Sequence, residues 1–453
     1  MSRIRALLAR FLPQGAVLLA FLTLASYAAG LVRDRIFART YGAGPELDAY
    51  NAAFILPELA LDVLVASGLA APFVPVFTSL RRDDAAAAIR FAQTVLTLVI
   101  LVMGIASLIL LLLAPATVGL IAPGFDAENR ERYLDLFRLM LVTPILFAAS
   151  IALGEILVAE RRFLPYALAP IMYNVGIVAG TVLLHDRLGI MAAAVGAVIG
   201  AALHLGVRVV GMLRSSVPLR LRLDLRLPAL REFLRLMVPK MLSQPIEPLT
   251  FLFFTNIATT LAAGSVSSVS FARNFQSVPV AFFGVSISLA AFPALSAAWA
   301  ADDRRSFRRQ VRTSAASITV FAVAAAVGLA VIAPLMIEVL LGGGAFDAED
   351  VRVTASVLAA FALAVPFDAL GHLTARGLYA THNTVQPVLA SLAGFAVTVV
   401  VTLALVGPVG VLSIPLGFAA GTAVRTGLQG LLLVRRMRDD AQAPAGRAVP
   451  APG

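Results

Sequence analysis

The chain of 453 residues contains no cysteine and four histidines, and only 14% of its residues are charged. The absence of cysteine excludes disulfides, thiolate metal sites and cysteine nucleophiles. No metal-ligand spacing relates the histidines, which are His185, His204, His372 and His382. A soluble domain carries about 25% charged residues. The shortage of charge, together with a mean hydropathy of +0.90, therefore excludes a soluble enzyme, a secreted disulfide scaffold and a disordered protein.

Apolar sequence makes up most of the chain, since 60% of the residues are hydrophobic. A membrane-spanning helix needs about 20 mostly apolar residues. This length predicts an all-α integral membrane protein with about twelve transmembrane helices. The predicted spans are residues 13–32, 49–78, 91–121, 134–159, 165–184, 189–213, 232–261, 267–299, 313–341, 352–380, 386–406 and 411–434.

The net charge of +10 comes almost entirely from arginine, because Lys240 is the only lysine. Most arginines cluster in short loops between apolar stretches, which fits membrane topology and anionic lipid headgroups better than nucleic acid. Arginine-rich loops follow the even-numbered spans, except the tenth, and the alternate loops are mostly poor in arginine. The positive-inside rule therefore predicts that both termini lie in the cytoplasm. We expect the first apolar segment to be a retained helix and not a cleaved signal peptide.

Three prolines of the first half recur in the second half at one constant spacing, with apolar helices and short polar turns between them. The pairs are Pro57 and Pro279, Pro144 and Pro366, and Pro165 and Pro387. Chance alignment of prolines in an apolar background is the alternative explanation. The repeat predicts two parallel six-helix lobes around a central cavity, which is a transporter architecture. We expect an N-terminal lobe at residues 1–224, a C-terminal lobe at 225–437 and a disordered cytoplasmic tail at 438–453.

Charged residues inside membrane helices are costly, so they tend to face a cavity or a partner. Arg33 and Arg273 are the strongest candidates for an anion contact, because each interrupts an apolar stretch and a guanidinium suits bidentate binding of phosphate. Arg39 is also an interfacial anchor candidate. The other residues of the predicted cavity are Asp48 and Asn51.

A second set of polar residues is predicted to take part in coupling or gating. Asp368, His372 and Arg376 follow each other at four-residue spacing, which places them on one helical face. A polar stripe that is satisfied between packed helices explains them equally well. Glu247 lies between Pro245 and Pro248, which interrupt the helical hydrogen bonds and expose carbonyls to an ion or merely kink the helix.

No catalytic constellation is evident, and no glycine-rich loop with a lysine predicts a nucleotide site. The run Gly342-Gly343-Gly344 lacks that lysine. The sequence therefore predicts a non-enzyme with no cofactor, in which transport draws on an ion gradient, the membrane potential or substrate flux. The identity of a coupling ion is left open.

Several segments, in this order along the chain, resemble the MurJ/MviN family of lipid II flippases in the multidrug/oligosaccharidyl-lipid/polysaccharide exporter superfamily. No single segment is specific, but the ordered set is. The segments are Gly30-Leu31-Val32-Arg33-Asp34, Ala38-Arg39-Thr40-Tyr41-Gly42-Ala43-Gly44, Asp48-Ala49-Tyr50, Phe73-Val74-Pro75-Val76-Phe77, Ala122-Pro123-Gly124-Phe125, Arg162-Phe163-Leu164-Pro165, Phe271-Ala272-Arg273 and Arg376-Gly377-Leu378-Tyr379-Ala380.

The resemblance implies an alternating-access flippase in the bacterial inner membrane. Its cationic cavity would hold the diphosphate of an undecaprenyl-linked peptidoglycan precursor. Arg33 and Arg273 match the cavity arginines of the family, Asp48 matches its cavity acid, and His372 falls where some members have a basic residue. Membrane lipids and cell-wall synthesis proteins are the other expected partners, and nucleic acid is not.

The chain departs from the family pattern at four positions that are often charged. These are Tyr27, Leu61, Ala66 and Gln276. Three alternatives therefore stay open. The chain is a flippase for another polyprenyl-linked glycan, a multidrug exporter of the same fold, or a transport-inactive membrane scaffold for cell-wall assembly.

Overall fold

The computed structural model describes residues 14–242 and 246–439, and within those ranges the chain is helical with no β-strand. The prediction of an all-α membrane protein is confirmed. The arginines near the N-terminus, at Arg3, Arg5 and Arg10, lie outside the described residues. So does the predicted disordered tail from residue 440 onward, and the last helix continues to Asp439.

The helices of the first half begin with a long helix and continue through a helix with a π-helical segment in its middle. In order they are α1 (Gln14–Tyr41), α2 (Pro45–Leu61), the π segment Asp62–Ala66, α3 (Ser67–Asp83), α4 (Ala85–Leu112), α5 (Ala114–Ile121), α6 (Ala127–Met140), α7 (Val142–Ala159), α8 (Phe163–Leu188) and α9 (Met191–Met212).

The second half repeats this order. Its helices are α10 (Pro228–Leu242), α11 (Ile246–Thr259), α12 (Ser265–Pro279), the π segment Val280–Val285, α13 (Ser286–Ala300), α14 (Arg304–Leu340), α15 (Ala348–Ala362), α16 (Val365–Ala380), α17 (Val385–Val409), the 3₁₀ turn Gly410–Leu412 and α18 (Ser413–Asp439).

Eight helical stretches in the described ranges are long and apolar enough to cross a membrane, and a ninth results if α15 and α16, bent by 41°, form one span. One of the eight, Val385–Arg438, contains both α17 and α18. The predicted spans 13–32 and 232–261 are not among them. The structure therefore confirms many membrane-spanning helices, and the count of twelve stays a prediction.

Backbone details recur between the two halves close to the positions that the repeat predicts. A π-helical segment follows Pro57 and Pro279 in the corresponding helices. Two left-handed backbone positions of the first half also recur in the second: Arg161 (φ 58°) with His382 (φ 59°), and Gly189 (φ 53°) with Gly410 (φ 57°). These turns join α7 to α8 and α8 to α9, and their counterparts join α16 to α17 and α17 to α18, so the repeat extends to the conformation of the connections.

The chain packs into two compact units. Residues up to 267 together with 338–351 form the first unit, and 268–337 together with the residues from 352 onward form the second. Aromatic rings fill the core of the first unit, where Phe73 stacks on Phe77 and Phe91 and meets Phe233 edge-on. In the second unit Phe361 packs against Phe418. The predicted lobe boundary at residue 225 stays a prediction.

Glycines allow the paired helices at the end of each half to approach closely. A Cβ atom at Gly180 would lie 2.3 Å from the Cα of Gly196, where α8 meets α9. A Cβ atom at Gly421 would lie 2.4 Å from the carbonyl oxygen of Gly394, where α17 meets α18. Because such distances are far below van der Waals contact, a larger residue would push the helices apart.

Candidate functional site

Arg33 lies near the end of α1 and forms an ion pair with its neighbour Asp34. Its Nε and Nη2 atoms donate to Asp34 Oδ1 at 3.0 and 2.8 Å. The Asp34 carboxylate is buried, whereas the Arg33 side chain keeps 26% of its surface accessible. The two bonds use two of the five N–H donors of the guanidinium, so the geometry leaves an exposed edge that suits an anion.

Polar groups from two other helices surround Arg33. Tyr50 and Glu58 on α2 and Tyr173 on α8 all interact electrostatically with its guanidinium. Glu58 also interacts with Asp62, and Asp62 with Glu247 on α11. Pairwise electrostatic interactions thus connect Arg33 with Glu58, Glu58 with Asp62, and Asp62 with the predicted coupling residue Glu247. Among the described residues no cluster of three or more potential ligands could hold a metal ion.

The other two arginines of α1 contact the end of α14. Arg35 Nη1 donates to the carbonyl oxygens of Val339 and Leu340 at 2.6 and 2.9 Å. Arg39 Nε and Nη2 donate to the carbonyl oxygen of Gly342 at 3.1 and 3.0 Å. The last carbonyls of a helix have no partner within it and carry partial negative charge. Both arginines therefore cap the C-terminus of α14.

The glycines that follow α14 permit this contact. Gly343 and Gly344 have φ angles of 101° and 65°, a conformation that L side chains rarely adopt. A Cβ atom at Gly344 would lie 2.3 Å from the carbonyl oxygen of Arg39. The backbone of the triple glycine therefore packs directly against the backbone at the end of α1.

Asp48 on α2 caps the opposite kind of helix end. Its carboxylate is buried and accepts the backbone N–H groups of Gly264 at 2.7 Å and Ser267 at 2.8 Å. The hydroxyl of Ser267 adds a third hydrogen bond at 2.6 Å. Since the N-terminus of α12 carries partial positive charge, the carboxylate stabilises it. Asn51, one turn after Asp48, donates to the same hydroxyl at 3.4 Å.

Sequence reasoning missed Asp350, which accepts the backbone N–H of Ala43 at 3.0 Å. The first turn of α2 thus contacts the start of α12 through Asp48, and the segment before α2 contacts the start of α15 through Asp350. An acid within the first turn of a helix, as at Asp350, is a signal that the sequence offered.

Arg273 in α12 shares a carboxylate with a second arginine, and all three residues belong to the second unit. Its Nη1 atom lies 3.9 Å from Asp368 Oδ2, while Arg425 Nη2 lies 2.8 Å from Asp368 Oδ1. Arg273 also hydrogen-bonds Gln276 and lies over the ring of Phe418, 4.9 Å from its centroid. Two guanidinium groups and one carboxylate leave this cluster with one excess positive charge.

The two other gating residues predicted on α16, His372 and Arg376, have different neighbours. His372 interacts electrostatically with Asp368, one turn away on α16. Arg376, a further turn on, is half-buried and interacts with Tyr379. Asp368 and His372 therefore interact along one face of α16, as the spacing predicts, whereas Arg376 interacts with Tyr379.

Arg425 is the residue that sequence reasoning missed in this cluster. It stands inside the predicted span 411–434, so the criterion that selected Arg273, a charge within an apolar helix, also selects Arg425. Its partner could not be inferred, because 57 residues separate Arg425 from Asp368.

Comparison with known proteins gives consistent matches. A family model described as lipid II flippase MurJ matches residues 37–446. A probable lipid II flippase MurJ of Thermotoga maritima is 27% identical over 382 residues, 83% of this chain and 76% of the relative. The lipid II flippase MurJ of Burkholderia cenocepacia is 26% identical over 432 residues, 91% of this chain and 82% of the relative.

Two solved structures share the fold. One is a lipid II flippase MurJ in an inward closed conformation, with a TM-score of 0.80, 21% identity and coverage of 92% of this chain and 87% of the other. The second is an inward-facing multidrug resistance MATE family transporter of the MOP superfamily, with a TM-score of 0.81, 15% identity and coverage of 93% and 96%. At these identities the two structures establish the transporter fold.

Proposed function

The chain belongs to the MurJ family of lipid II flippases, and we propose that it moves lipid II, an undecaprenyl-diphosphate-linked peptidoglycan precursor, from the inner to the outer leaflet. The family match across residues 37–446 is the observation that carries this proposal. The protein acts as a multi-pass transporter of the bacterial inner membrane and catalyses no reaction. Transport proceeds by alternating access, without a cofactor.

Arg33 and Arg273 bind the diphosphate. Each is a guanidinium within or at the end of an apolar helix, and each keeps some accessible surface beside its carboxylate, 26% for Arg33 and 12% for Arg273. A guanidinium binds a phosphoryl group by charge-assisted hydrogen bonds, and a diphosphate presents two phosphoryl groups. The excess positive charge of the cluster around Asp368 supports an anionic substrate and disfavours the exporter of organic cations.

Arg39, Asp48 and Asn51 stabilise contacts between helix ends. Their hydrogen bonds go to the loop after α14 and to the start of α12, and alternating access requires such contacts to break and re-form. Their direct contact with substrate stays a prediction. Asp368, His372, Arg376 and Glu247 remain the proposed coupling and gating residues, and the coupling ion is open. Partner proteins from cell-wall synthesis also remain a proposal.

Binding measurements on the purified protein test the substrate assignment. We expect Arg33→Ala and Arg273→Ala each to weaken binding of a polyprenyl-diphosphate glycan by about tenfold to a hundredfold, because one charge-assisted hydrogen bond contributes about 1.5–3 kcal/mol. Lysine at either position should restore binding only in part, since it keeps the charge and loses the fork geometry.

Arg39→Ala is the matched control, because this arginine binds a backbone carbonyl. Its effect on affinity should be smaller than that of the other two. An equal effect of all three variants would refute the assignment of Arg33 and Arg273, and no effect of any would remove the physical support for a flippase. Rescue of a flippase-depleted bacterium by wild type and by Arg273→Ala alike would favour the scaffold.

The proposed orientation places both termini in the cytoplasm, and cysteine labelling tests it because the chain has no native cysteine. Ala263, between α11 and α12, and Arg305, at the start of α14, are both exposed. In intact cells Ala263→Cys should react with a membrane-impermeant thiol reagent and Arg305→Cys should not. The reverse pattern would refute the orientation.

A further inference from the structure

The connection between α9 and α10 contains a short segment in which leucines alternate with charged residues, mostly arginines. This leucine–arginine segment, residues 219–226, forms no helix and belongs to the first unit throughout. Its sequence is Leu219-Arg220-Leu221-Arg222-Leu223-Asp224-Leu225-Arg226. Successive side chains of an extended chain point to opposite sides, so the alternation gives the segment one apolar face and one charged face.

Three polar side chains of α4 hold the leucine–arginine segment by its backbone. Thr97 Oγ1 accepts the N–H of Arg222 at 2.9 Å, and Thr94 Oγ1 accepts the N–H of Asp224 at 3.2 Å. Gln93 Nε2 donates to the carbonyl oxygen of the proline that precedes the segment, at 2.9 Å. Two N–H groups that are two residues apart thus point to the same helix, which is the periodicity of an extended chain.

The side chains of the segment are exposed on both faces. The accessible fractions of the four leucines are 41% at Leu219, 70% at Leu221, 45% at Leu223 and 65% at Leu225. The three arginines between and after them are exposed as well. Apolar surface is disfavoured in water, so the leucine face requires an apolar environment while the arginine face requires a polar or anionic one.

The depth of the segment in the membrane follows from its position on α4. The uncharged part of this helix, residues 91–112, is about 33 Å long at 1.5 Å per residue, and the hydrocarbon core of a bilayer is about 30 Å thick. Gln93, Thr94 and Thr97 stand at the beginning of this part. The segment that they hold therefore lies at the boundary between hydrocarbon and headgroups, where leucine reaches acyl chains and arginine reaches phosphates.

We propose that the leucine–arginine segment is an interfacial membrane anchor, in which the leucines enter the edge of the hydrocarbon and the arginines bind the phosphate groups of anionic phospholipids. Three arginines and one aspartate give it a net charge of +2, and Asp224 Oδ1 accepts the N–H of Arg226 at 3.2 Å. Charge complementarity favours an anionic lipid over a zwitterionic one. The anchor attaches the connection between the two halves of the chain to one leaflet, whichever lipid-linked substrate the protein carries.

Spin labels on single cysteines measure which face enters the lipid, and the chain has no native cysteine. The full-length protein is reconstituted in vesicles of phosphatidylcholine and phosphatidylglycerol. Labels at Leu221→Cys and Leu223→Cys should be relaxed mainly by oxygen, which partitions into lipid. Labels at Arg220→Cys and Arg222→Cys should be relaxed mainly by a water-soluble nickel chelate.

Two exposed positions calibrate the scale. Leu108→Cys lies in the uncharged part of α4 and gives the lipid reference, and Arg305→Cys at the start of α14 gives the aqueous one. Chelate access at every position of the segment would place it in water, as a docking surface for a soluble protein, and would overturn the anchor. Protection of the leucine positions from both reagents would mean that protein covers them, and would overturn it as well.

Tryptophan fluorescence tests the recognition of anionic headgroups. Trp299 is the only tryptophan, so Trp299→Phe combined with Leu221→Trp reports from the segment alone. Quenching by brominated phosphatidylglycerol and by brominated phosphatidylcholine, at equal mole fractions, gives the relative affinity for the two lipids. We expect a preference for phosphatidylglycerol of about fivefold or more, the effect of one arginine near an anionic surface. Equal affinities would refute the headgroup contact.

Charge variants locate the source of the preference. Arg220→Gln with Arg222→Gln leaves the segment without net charge and should abolish the preference. Arg435→Gln with Arg436→Gln removes the same charge from the end of α18 and should leave it unchanged. An equal loss in both pairs would show that the overall charge of the protein selects the lipid, which would refute binding by the segment.

Discussion

The helix pair α7–α9 in the first half and the pair α16–α18 in the second are counterparts in the repeat, but their buried polar groups differ. Ser150 Oγ lies 2.7 Å from His204 Nδ1 in the first pair, and Arg208 donates to the carbonyl oxygen of Ser150 at 2.6 Å. In the second pair Arg425 takes the position equivalent to His204, at the sequence offset that the left-handed turns share, and binds the carboxylate of Asp368.

The two arginines of these pairs are also compensated differently. Arg208 is buried, lies over the ring of Tyr166 at 5.1 Å and binds a backbone carbonyl. Arg425 depends on one carboxylate that it shares with Arg273. The same framework of helices therefore holds, in one half, an arginine that binds a backbone carbonyl and interacts electrostatically with Glu155, and in the other half a cluster in which two arginines share one carboxylate. The second kind of contact can respond to an anion.

The largest expected effect distinguishes these two contacts by stability. Asp368→Ala leaves two guanidinium groups without their carboxylate and should lower the free energy of unfolding by about 3–5 kcal/mol. Ser150→Ala removes the contacts of the hydroxyl with His204 Nδ1 and with the His204 carbonyl oxygen, and keeps the Ser150 carbonyl that Arg208 uses. A loss of about 1–2 kcal/mol is therefore expected.

Unfolding in mixed micelles, with wild type and both variants side by side, measures the difference. Adding Arg425→Gln to Asp368→Ala should recover part of the loss, because only one of the two cations has then lost the carboxylate. Equal losses of unfolding free energy for Asp368→Ala and Ser150→Ala would mean that the charge cluster contributes no more to stability than the contact at Ser150.

The close helix packing should be similar in the two halves, and glycine substitutions test this. A Cβ atom at Gly200 on α9 would lie 2.3 Å from the carbonyl oxygen of Tyr173, so Gly200→Ala should destabilise the protein by about 1–3 kcal/mol. Gly417→Ala on α18 should have a comparable cost, since its Cβ would meet Thr402 Oγ1 at 2.1 Å.

Controls lie on the same two helices. A Cβ atom at Gly206 on α9 or at Gly427 on α18 meets nothing within 4 Å. Alanine at these positions should stabilise the helix by about 0.5–1 kcal/mol, as measured by unfolding in mixed micelles. If the control substitutions also destabilise the protein, the loss comes from replacing glycine anywhere in these helices and not from the close contacts between them.

The sequence predicts the helical fold well, because apolar length is a strong local signal, and the prolines disclose the repeat. It predicts charged candidates but not their partners. Arg39 and Asp48 were expected to line a cavity, and the structure places them on helix ends that are distant in the sequence. A contact of that kind depends on tertiary packing, and helix ends offer the same carbonyls and N–H groups whatever their sequence.

The turn between α7 and α8, which contains Glu160, corresponds to the turn between α16 and α17, which contains Asn383. The two turns are held by groups of different charge. Ser216 donates to Glu160 Oε1 through its N–H and its hydroxyl, at 3.1 and 2.6 Å, and Arg81 Nη1 lies 3.3 Å from the same oxygen. Burial alone would raise the pKa of the Glu160 carboxyl, but these hydrogen bonds and the charge of Arg81 lower it below its usual range. In the other turn Asn383 Oδ1 accepts the N–H of Gln386 at 3.1 Å.

The smallest expected effect compares these two turns by their dependence on pH. A depressed pKa contributes stability that is present above the ordinary glutamate value of about 4.3 and is lost as the pH falls through the folded value. Glu160→Gln should therefore lower the free energy of unfolding by up to about 1 kcal/mol at pH 7, and its difference from wild type should shrink as the pH falls below about 4. The difference between wild type and Asn383→Ala should stay constant over the same range, because an amide does not titrate. Unfolding of the three proteins across this pH range measures both differences, and a pH-independent effect of Glu160→Gln would show that its carboxylate charge does not hold the first turn.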